Sequence, residues 1–542
     1  MPRLAHVNDD DLRSAIHAGC RTMRNVFNVD DDGVPFFGSR LLPDARLSFS
    51  AHHSESHVPG RHLNALLAAD AVAPDPTIDP AAQDAAIAMH RRALMHSYGG
   101  IQPLPLNRSK IGDPAPGNFC PHNLREGFHG LWALAQHRAD DEAADLAERS
   151  LATIRQLWRP DHGWDEAQLA QQGLTYMACQ GFVHGEARML GPLVKFQRAT
   201  GSQAAGDLAD DVAQKLLAEF YLEDGVYTAE RFVTRHAHSV TCCLSSLAQY
   251  AAARGDTQVM ARVKSFYDHG LWQMRDAIGW SPESAQQTGS DHGEGNNTGD
   301  IVETALILGA HGWTEYDHDA QRILRAHLLP SQLRDVSFVV EPDNPHHEDG
   351  LHDMGRRHLG AWGFPAPYGH LSWGKGRGGL SFNMDIVGGV VASLCEALSA
   401  VTISAPAGDG PLHHKIRLLL ETTTQDLQLG ICTENDAMTL EIRLQHLGDL
   451  QIQLPPWVDE EAIRMEPLTE HFSIDEDGLH IPGRDKADAA VADPIRVHLP
   501  TPGEELTLTH HHDHPIEVHL RGDRVVAMDS LGADLTFFPD LD

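Results

Sequence analysis

A chain of 542 residues is too long for one ordinary core, and an apolar fraction of 42% is too high for a disordered one. The formal net charge of -34 argues against nucleic acid or an anionic membrane as a partner. Only seven of the 42 basic residues are lysines, and 36 histidines let the charge move near neutral pH.

The N-terminal stretch MPRLAHVNDDDLRS lacks a signal-peptide core, and no apolar run reaches the length of roughly 18 residues that a membrane helix needs. Cysteines 20, 120, 179, 242, 243, 395 and 432 are odd in number and contain no C-x-x-C pair. That pattern predicts free thiols and a cytoplasmic location.

Apolar residues at three- and four-residue spacing predict helices near 9–26, 60–70, 80–97, 121–138, 141–158 and 183–200. The signal recurs near 204–221, 237–254, 256–277, 298–310, 315–329 and 383–402. Short polar turns join neighbours, and long loops rich in Gly, Pro, Trp and His separate the pairs. Twelve helices in six hairpins predict an (α/α)6 barrel, a closed toroid over residues 1–402. An open α-solenoid is the simpler competitor, but it gives no reason for long His- and Trp-rich loops.

After about residue 403 the pattern changes to period two, as in Met438-Thr-Leu-Glu-Ile-Arg-Leu and Ile495-Arg-Val-His-Leu. Residues 403–542 are therefore expected to form an antiparallel β-sandwich domain. The cluster His510-His-His-Asp-His514 reads as a turn between strands rather than a metal site, and no metal ion or other cofactor is expected.

The densest chemistry lies at Ser290-Asp291-His292-Gly293-Glu294-Gly-Asn-Asn-Thr298-Gly-Asp300. Thr298 as an N-cap, with Asp300 and Glu303 facing the helix dipole, explains part of it. Asp291, His292 and Glu294 are left over. Four other even-numbered helices begin in similar company. His52, His53 and His57 precede the second; His122, Asn123, Arg125 and Glu126 enter the fourth. His184 and Glu186 enter the sixth, and Arg235, His236 and His238 the eighth. Each set has a plain alternative as capping or loop polarity. Arginine and histidine at a helix start oppose the dipole, however, and the even helices of a hairpin toroid form one ring. These loops are expected to converge.

Aromatic residues Trp362, Tyr368, His370 and Trp373 precede Lys375 and Arg377. Aromatic faces beside carboxylates and amides suit a carbohydrate. No helix carries an H-E-x-x-H, no G-x-S-x-G elbow occurs, and no Gly-x-Gly-x-x-Gly follows a predicted strand. Hydrolysis of a glycosidic bond needs one carboxylic acid and a second carboxylate, for which Asp291, Glu294 and Glu126 are candidates, with Asp300 behind them. Arg125, Arg235, Arg377 and Lys110 suit a uronic-acid carboxylate. A polysaccharide lyase using His236, His238 and Tyr368 is one alternative, and a non-catalytic carbohydrate-binding or scaffold protein another. The expected partner is an oligosaccharide or glycoside, in a chain that is compatible with a homo-oligomer.

Several segments carry a resemblance: His57-Val-Pro-Gly-Arg61, Asn123-Leu-Arg125-Glu126-Gly and Thr298-Gly-Asp300-Ile-Val-Glu303-Thr-Ala-Leu. Trp313-Thr-Glu315-Tyr, Ala326-His-Leu-Leu-Pro-Ser-Gln and the Asp385-Ile-Val-Gly-Gly helix extend it over most of the chain. Together they resemble the helical-barrel glycoside hydrolases around family 127, the β-L-arabinofuranosidase-like group, and family 154, the β-glucuronidase-like group. The resemblance implies an (α/α)6 barrel, a β-sandwich and action on sugars. It also marks a departure. The arabinofuranosidases are expected to carry a Cys-Cys motif before the last barrel helix, supplying a zinc-bound cysteine nucleophile. Here that segment reads Gly379-Leu-Ser-Phe-Asn383-Met-Asp385-Ile-Val-Gly, without cysteine. A carboxylate mechanism on a uronic-acid glycoside is the expectation that remains.

Overall fold

A computed structural model describes the whole chain except residues 1–2, 5–6, 286–290, 374–377, 407–411, 435, 447, 467–471, 484–493, 510–513 and 542. Each of the twelve predicted helices is present. They are α1 (Leu12–Arg24), α2 (Val58–Val72), α3 (Pro80–Ser97), α4 (Leu124–Arg138), α5 (Asp141–Leu157) and α6 (Leu190–Thr200). The rest are α7 (Gln203–Glu219), α8 (Ala237–Arg254), α9 (Thr257–Asp268), α10 (Gly295–Ala310), α11 (Glu315–Ile323) and α12 (Ile386–Ala400).

The even helices form a closed ring, α2–α4–α6–α8–α10–α12, with α12 packing back on α2. Each odd helix packs outside the even helix before it, and α1 packs on α12. Burial follows from this arrangement. The inner α8 is buried without interruption from Ala237 to Ala248, and α10 from Gly295 to Leu306. The outer α1 and α5 are amphipathic and bury one face.

The two rings also differ in how their helices start. In α1, α3, α5, α7 and α9 the side chains of Asp11, Asp79, Asp140, Ser202 and Asp256 accept hydrogen bonds from the first turn. None of the six inner helices has a side-chain cap. In five of them a polar N-cap side chain, His57, Asn123, His236, Glu294 or Asp385, is turned to another partner.

The first β-strand of the C-terminal region, Thr402–Pro406, follows α12 directly. Two five-stranded sheets follow, one built around Leu427–Glu434, Ala437–Leu444 and Ile495–Pro500, the other around Leu412–Ile416 and Gly448–Ile452. The latter two strands pair in parallel, so the region is mixed rather than purely antiparallel. Alternate residues Met438, Leu440 and Ile442 enter a core continuous with that of the barrel. Arg417 ties the two regions together: its guanidinium donates to both oxygens of Asp317 in α11, at 2.5 and 3.0 Å. A separate three-stranded sheet, Gly503–Leu508, Ile516–Arg521 and Arg524–Met528, packs with Trp280, Tyr368 and Phe537 instead. It returns the end of the chain to the barrel, where the Phe537 amide donates to the Tyr368 carbonyl at 2.8 Å.

Candidate active site

Five inner helices have as N-cap residues His57 (α2), Asn123 (α4), His236 (α8), Glu294 (α10) and Asp385 (α12), and a short turn, Glu186–Met189, leads into α6. The expected convergence of the even-numbered helix starts is therefore observed. All six positive dipole ends point to the same end of the barrel.

Glu126, in the first turn of α4, is fully buried among three guanidiniums: Arg61 at 2.5 Å, Arg188 at 2.8 Å and Arg125 at 3.2 Å. Burial alone would raise its pKa, but Arg188, His57, Arg61 and Arg125 together hold the carboxyl well below its usual range. Glu126 is thus a permanent anion that organises arginines, which does not suit it as a proton donor. Arg61 also donates to Asp385 at 3.0 Å, and His57 lies 3.2 Å from the same carboxylate. Gly60 makes this clustering possible, because a Cβ there would meet the Glu126 carbonyl oxygen at 1.9 Å. The side chain of Asn123 does not cap α4. Its Oδ1 lies 3.0 and 3.1 Å from the Nδ1 atoms of His57 and His53.

Across the barrel centre, His238 faces two carboxylates. Its Nδ1 lies 3.7 Å from Glu294 and its Nε2 3.4 Å from Asp300. Asp300 also accepts from Thr241 at 3.0 Å and lies 3.5 Å from Arg125. Burial lifts the Asp300 carboxyl well above its ordinary range, more than Arg125 lowers it. Burial and the nearby Arg188, Arg61 and Arg125 keep His238 neutral. His236, a quarter exposed at the rim, lies 3.6 Å from Glu294.

The loop before α10 differs from its expectation. Helix α10 starts at Gly295, so Thr298 is no cap: it lies inside the helix and donates to the Gly279 carbonyl at 3.0 Å. Residues 293–295 are pinned rather than loose, because the amides of Gly293, Glu294 and Gly295 donate to Pro365, Ser281 and Gly363. A Cβ on Gly293 would meet the Trp280 indole nitrogen at 2.3 Å, so close approach of the chains explains that glycine. Asp291 is buried and accepts from the Tyr368 hydroxyl at 2.8 Å.

The remaining candidates divide. His122 and His184 join the cluster; the rings of His122, His184 and His236 lie 4.7 to 5.6 Å apart. Burial and neighbouring positive charge lower both His122 and His184, the latter to about 3. Glu186 turns away and accepts from the Trp164 indole at 2.6 Å, its carboxyl raised by burial to about 7. Arg235 is exposed outside the cluster, where its carbonyl accepts from Ala285 at 2.7 Å. The expected aromatic edge is largely buried. Trp362 is wholly buried and donates to the Leu328 carbonyl, and Tyr368 is 1% exposed. Trp373 alone is half-buried, its amide donating to the Tyr368 oxygen at 2.8 Å. Ser290, Lys375, Arg377 and residues 510–513 lie outside the described residues. Arg61, Arg188 and Asp385 enter the site without having been given a catalytic or substrate-binding role, although Arg61 and Asp385 stand in segments that carry the resemblance. Their signal was a charged residue on a helix destined to be buried on every side.

Among the described residues, three groups bring metal-ligating atoms together: His122–His184–His236, His236–His238–Glu294 and His238–Cys242–Asp300. One thiol appears among them. The cysteine-rich zinc chemistry of the arabinofuranosidases does not fit these residues, because Asn383 and Asp385 occupy the segment entering α12.

No family model and no curated protein matches the sequence. Solved structures do match. A family 127 β-L-arabinofuranosidase from Geobacillus stearothermophilus T6 has a TM-score of 0.53 at 14% identity, covering 96% of this chain and 86% of that one. A second family 127 β-arabinofuranosidase reaches 0.56 at 14% identity, covering 96% and 83%. A further glycoside hydrolase reaches 0.51 at 12%, covering 92% and 84%. The closed ring and these likenesses agree: the chain has the fold of the helical-barrel glycoside hydrolases, an (α/α)6 barrel followed by antiparallel and mixed sheets.

Proposed function

We propose that the chain is a glycoside hydrolase that cleaves a uronic-acid-containing, glucuronide-like saccharide by carboxylate acid–base catalysis. One observation carries the reading: Glu294 and Asp300 flank the two ring nitrogens of His238 where the inner helices begin. Two carboxyl groups in unlike surroundings are what the reaction requires. Asp300, whose carboxyl burial raises well above its ordinary range, is the group that donates a proton to the leaving glycosidic oxygen. Glu294 accepts a proton from the attacking water. Glu126 supports the reaction as a fixed anion, and Asp291 braces Tyr368.

The preference for a uronic acid rests on charge. Three guanidiniums, Arg61, Arg125 and Arg188, share the ionised carboxylates of Glu126 and Asp385. Arg125 also faces Asp300, which is neutral while it holds its proton. An anionic sugar would complete the balance. Elimination chemistry is less well served, since the Tyr368 hydroxyl is buried and engaged with Asp291 and Trp373.

A panel of aryl glycosides offered to the purified chain tests the proposal. Aryl glucuronide is expected to be hydrolysed, and Glu294→Gln to lower kcat by about 10²- to 10⁴-fold. A folded Glu294→Gln variant with full turnover overturns the assignment of Glu294. An unsaturated, ultraviolet-absorbing product overturns hydrolysis itself.

A further inference from the structure

The geometry points to a divalent transition-metal site formed by His236 Nε2, His238 Nδ1 and the Glu294 carboxylate. It rests on the proposed function in sharing its centre, and in the metal-loaded chain Glu294 is a ligand rather than the base that takes a proton from water. Glu294 Oε2 is 3.6 Å from His236, and Oε1 is 3.7 Å from His238. Those separations are too long for hydrogen bonds. They approach the edge of about 3.4 Å between ligands bound to one tetrahedral ion at about 2.1 Å.

The outer contacts carry the inference further. A metal-bound imidazole is normally oriented through its second ring nitrogen by a carboxylate, carbonyl or hydroxyl. Here His238 turns its second nitrogen to Asp300 at 3.4 Å, and His236 turns its own to the Ser239 hydroxyl at 2.9 Å. Glu294 Oε1 accepts from the Asn296 amide at 2.9 Å. Each of the three groups is thus held by a contact of its own, with His236 Nε2 facing Glu294 Oε2 and His238 Nδ1 facing Glu294 Oε1. All three ligand atoms lie within 4.8 Å of one another.

The neighbouring groups are less suitable. Both His122 ring nitrogens face the Arg188 guanidinium, at 2.9 and 2.6 Å, which occupies the lone pair a metal needs. In the third group, Cys242 Sγ is directed to the Ser239 carbonyl at 3.5 Å. Two imidazoles and one carboxylate select a first-row transition ion over Mg²⁺ or Ca²⁺, which prefer oxygen. The three arginines oppose a cation, but the carboxylates of Glu126 and Asp385 stand among them. His236 is partly exposed, which leaves a route for the ion.

The test uses the full chain, stripped with chelator and titrated with Co²⁺ and Zn²⁺ by calorimetry and visible absorption, without substrate. One Co²⁺ per chain with d–d bands is expected. His236→Ala should abolish binding, Ser239→Ala should weaken it about tenfold or more, and His122→Ala should leave the stoichiometry at one. His238 is buried, so its variant counts only after circular dichroism shows native folding; His236 at the rim supplies the variant less exposed to that risk. Absence of binding overturns the site, as does binding that survives His236→Ala or is lost in folded His122→Ala. The glycosidase reading fails separately. A chain that binds Co²⁺ but is inert on every glycoside keeps the site and loses the reading, whereas unchanged hydrolysis by a chain that binds no metal does the reverse.

Discussion

Asp300 and Glu126 show how position sets the chemistry of one functional group. Both face Arg125, yet guanidiniums hold the Glu126 carboxyl well below its ordinary range, while burial lifts that of Asp300 well above it. The sign for Asp300 follows from its raised folded pKa. The proton is favoured in the native state, so the stability contributed by the protonated group is complete below the unfolded carboxylate range and is lost as pH rises through the folded pKa. An acid role has the same direction: kcat/KM should fall on the alkaline side as Asp300 ionises. Asp300→Asn should lower activity by about 10²-fold or more and flatten that alkaline limb. A pH–rate profile whose alkaline limb is unchanged in the variant would remove Asp300 from the role of acid.

At the level of elements, the inner helices have traded capping for site building. Outer helices α1, α3, α5, α7 and α9 begin with Asp or Ser side chains satisfying their own amides. In the inner ring, His57, Asn123, Glu294 and Asp385 face one another or neighbouring side chains instead. This difference was legible in part: histidines and arginines at the even helix starts announced it. What could not be read was the partner of each group, because Arg61 meets Asp385 across 324 positions of chain. The same packing explains Gly60, against which the α4 backbone closes. Gly60→Ala must push α2 from α4, at a cost of at least about 1–3 kcal/mol, and shift Arg61 from Glu126. A lowered melting temperature together with lost activity is expected; a variant as stable as the parent would show that the two helices can part.

For the molecule as a whole, ring closure brings six distant helix starts to one end, and the sheets brace the structure from outside. The Arg417–Asp317 pair is a buried link between them. Arg417→Ala leaves Asp317 buried without its guanidinium, at an expected cost of about 3–5 kcal/mol in denaturant unfolding. A loss below about 1 kcal/mol would mean that the apolar contacts alone hold the sheets to the barrel.

The sequence by itself determined the twelve helices, the change to strands near residue 402 and the residue types at the inner helix starts. Local periodicity and turn chemistry are written in neighbouring residues, which is why they could be read there. Only the tertiary structure decided which candidates meet. It confined Glu126 among arginines, turned Glu186 toward Trp164, left Arg235 outside and buried Trp362, Tyr368 and His370, which were expected to line a cleft. It also fixed the start of α10 at Gly295 instead of Thr298. The physical reason is common to all of these. Burial and charge at a site are sums over groups far apart in the chain, and no local pattern contains them.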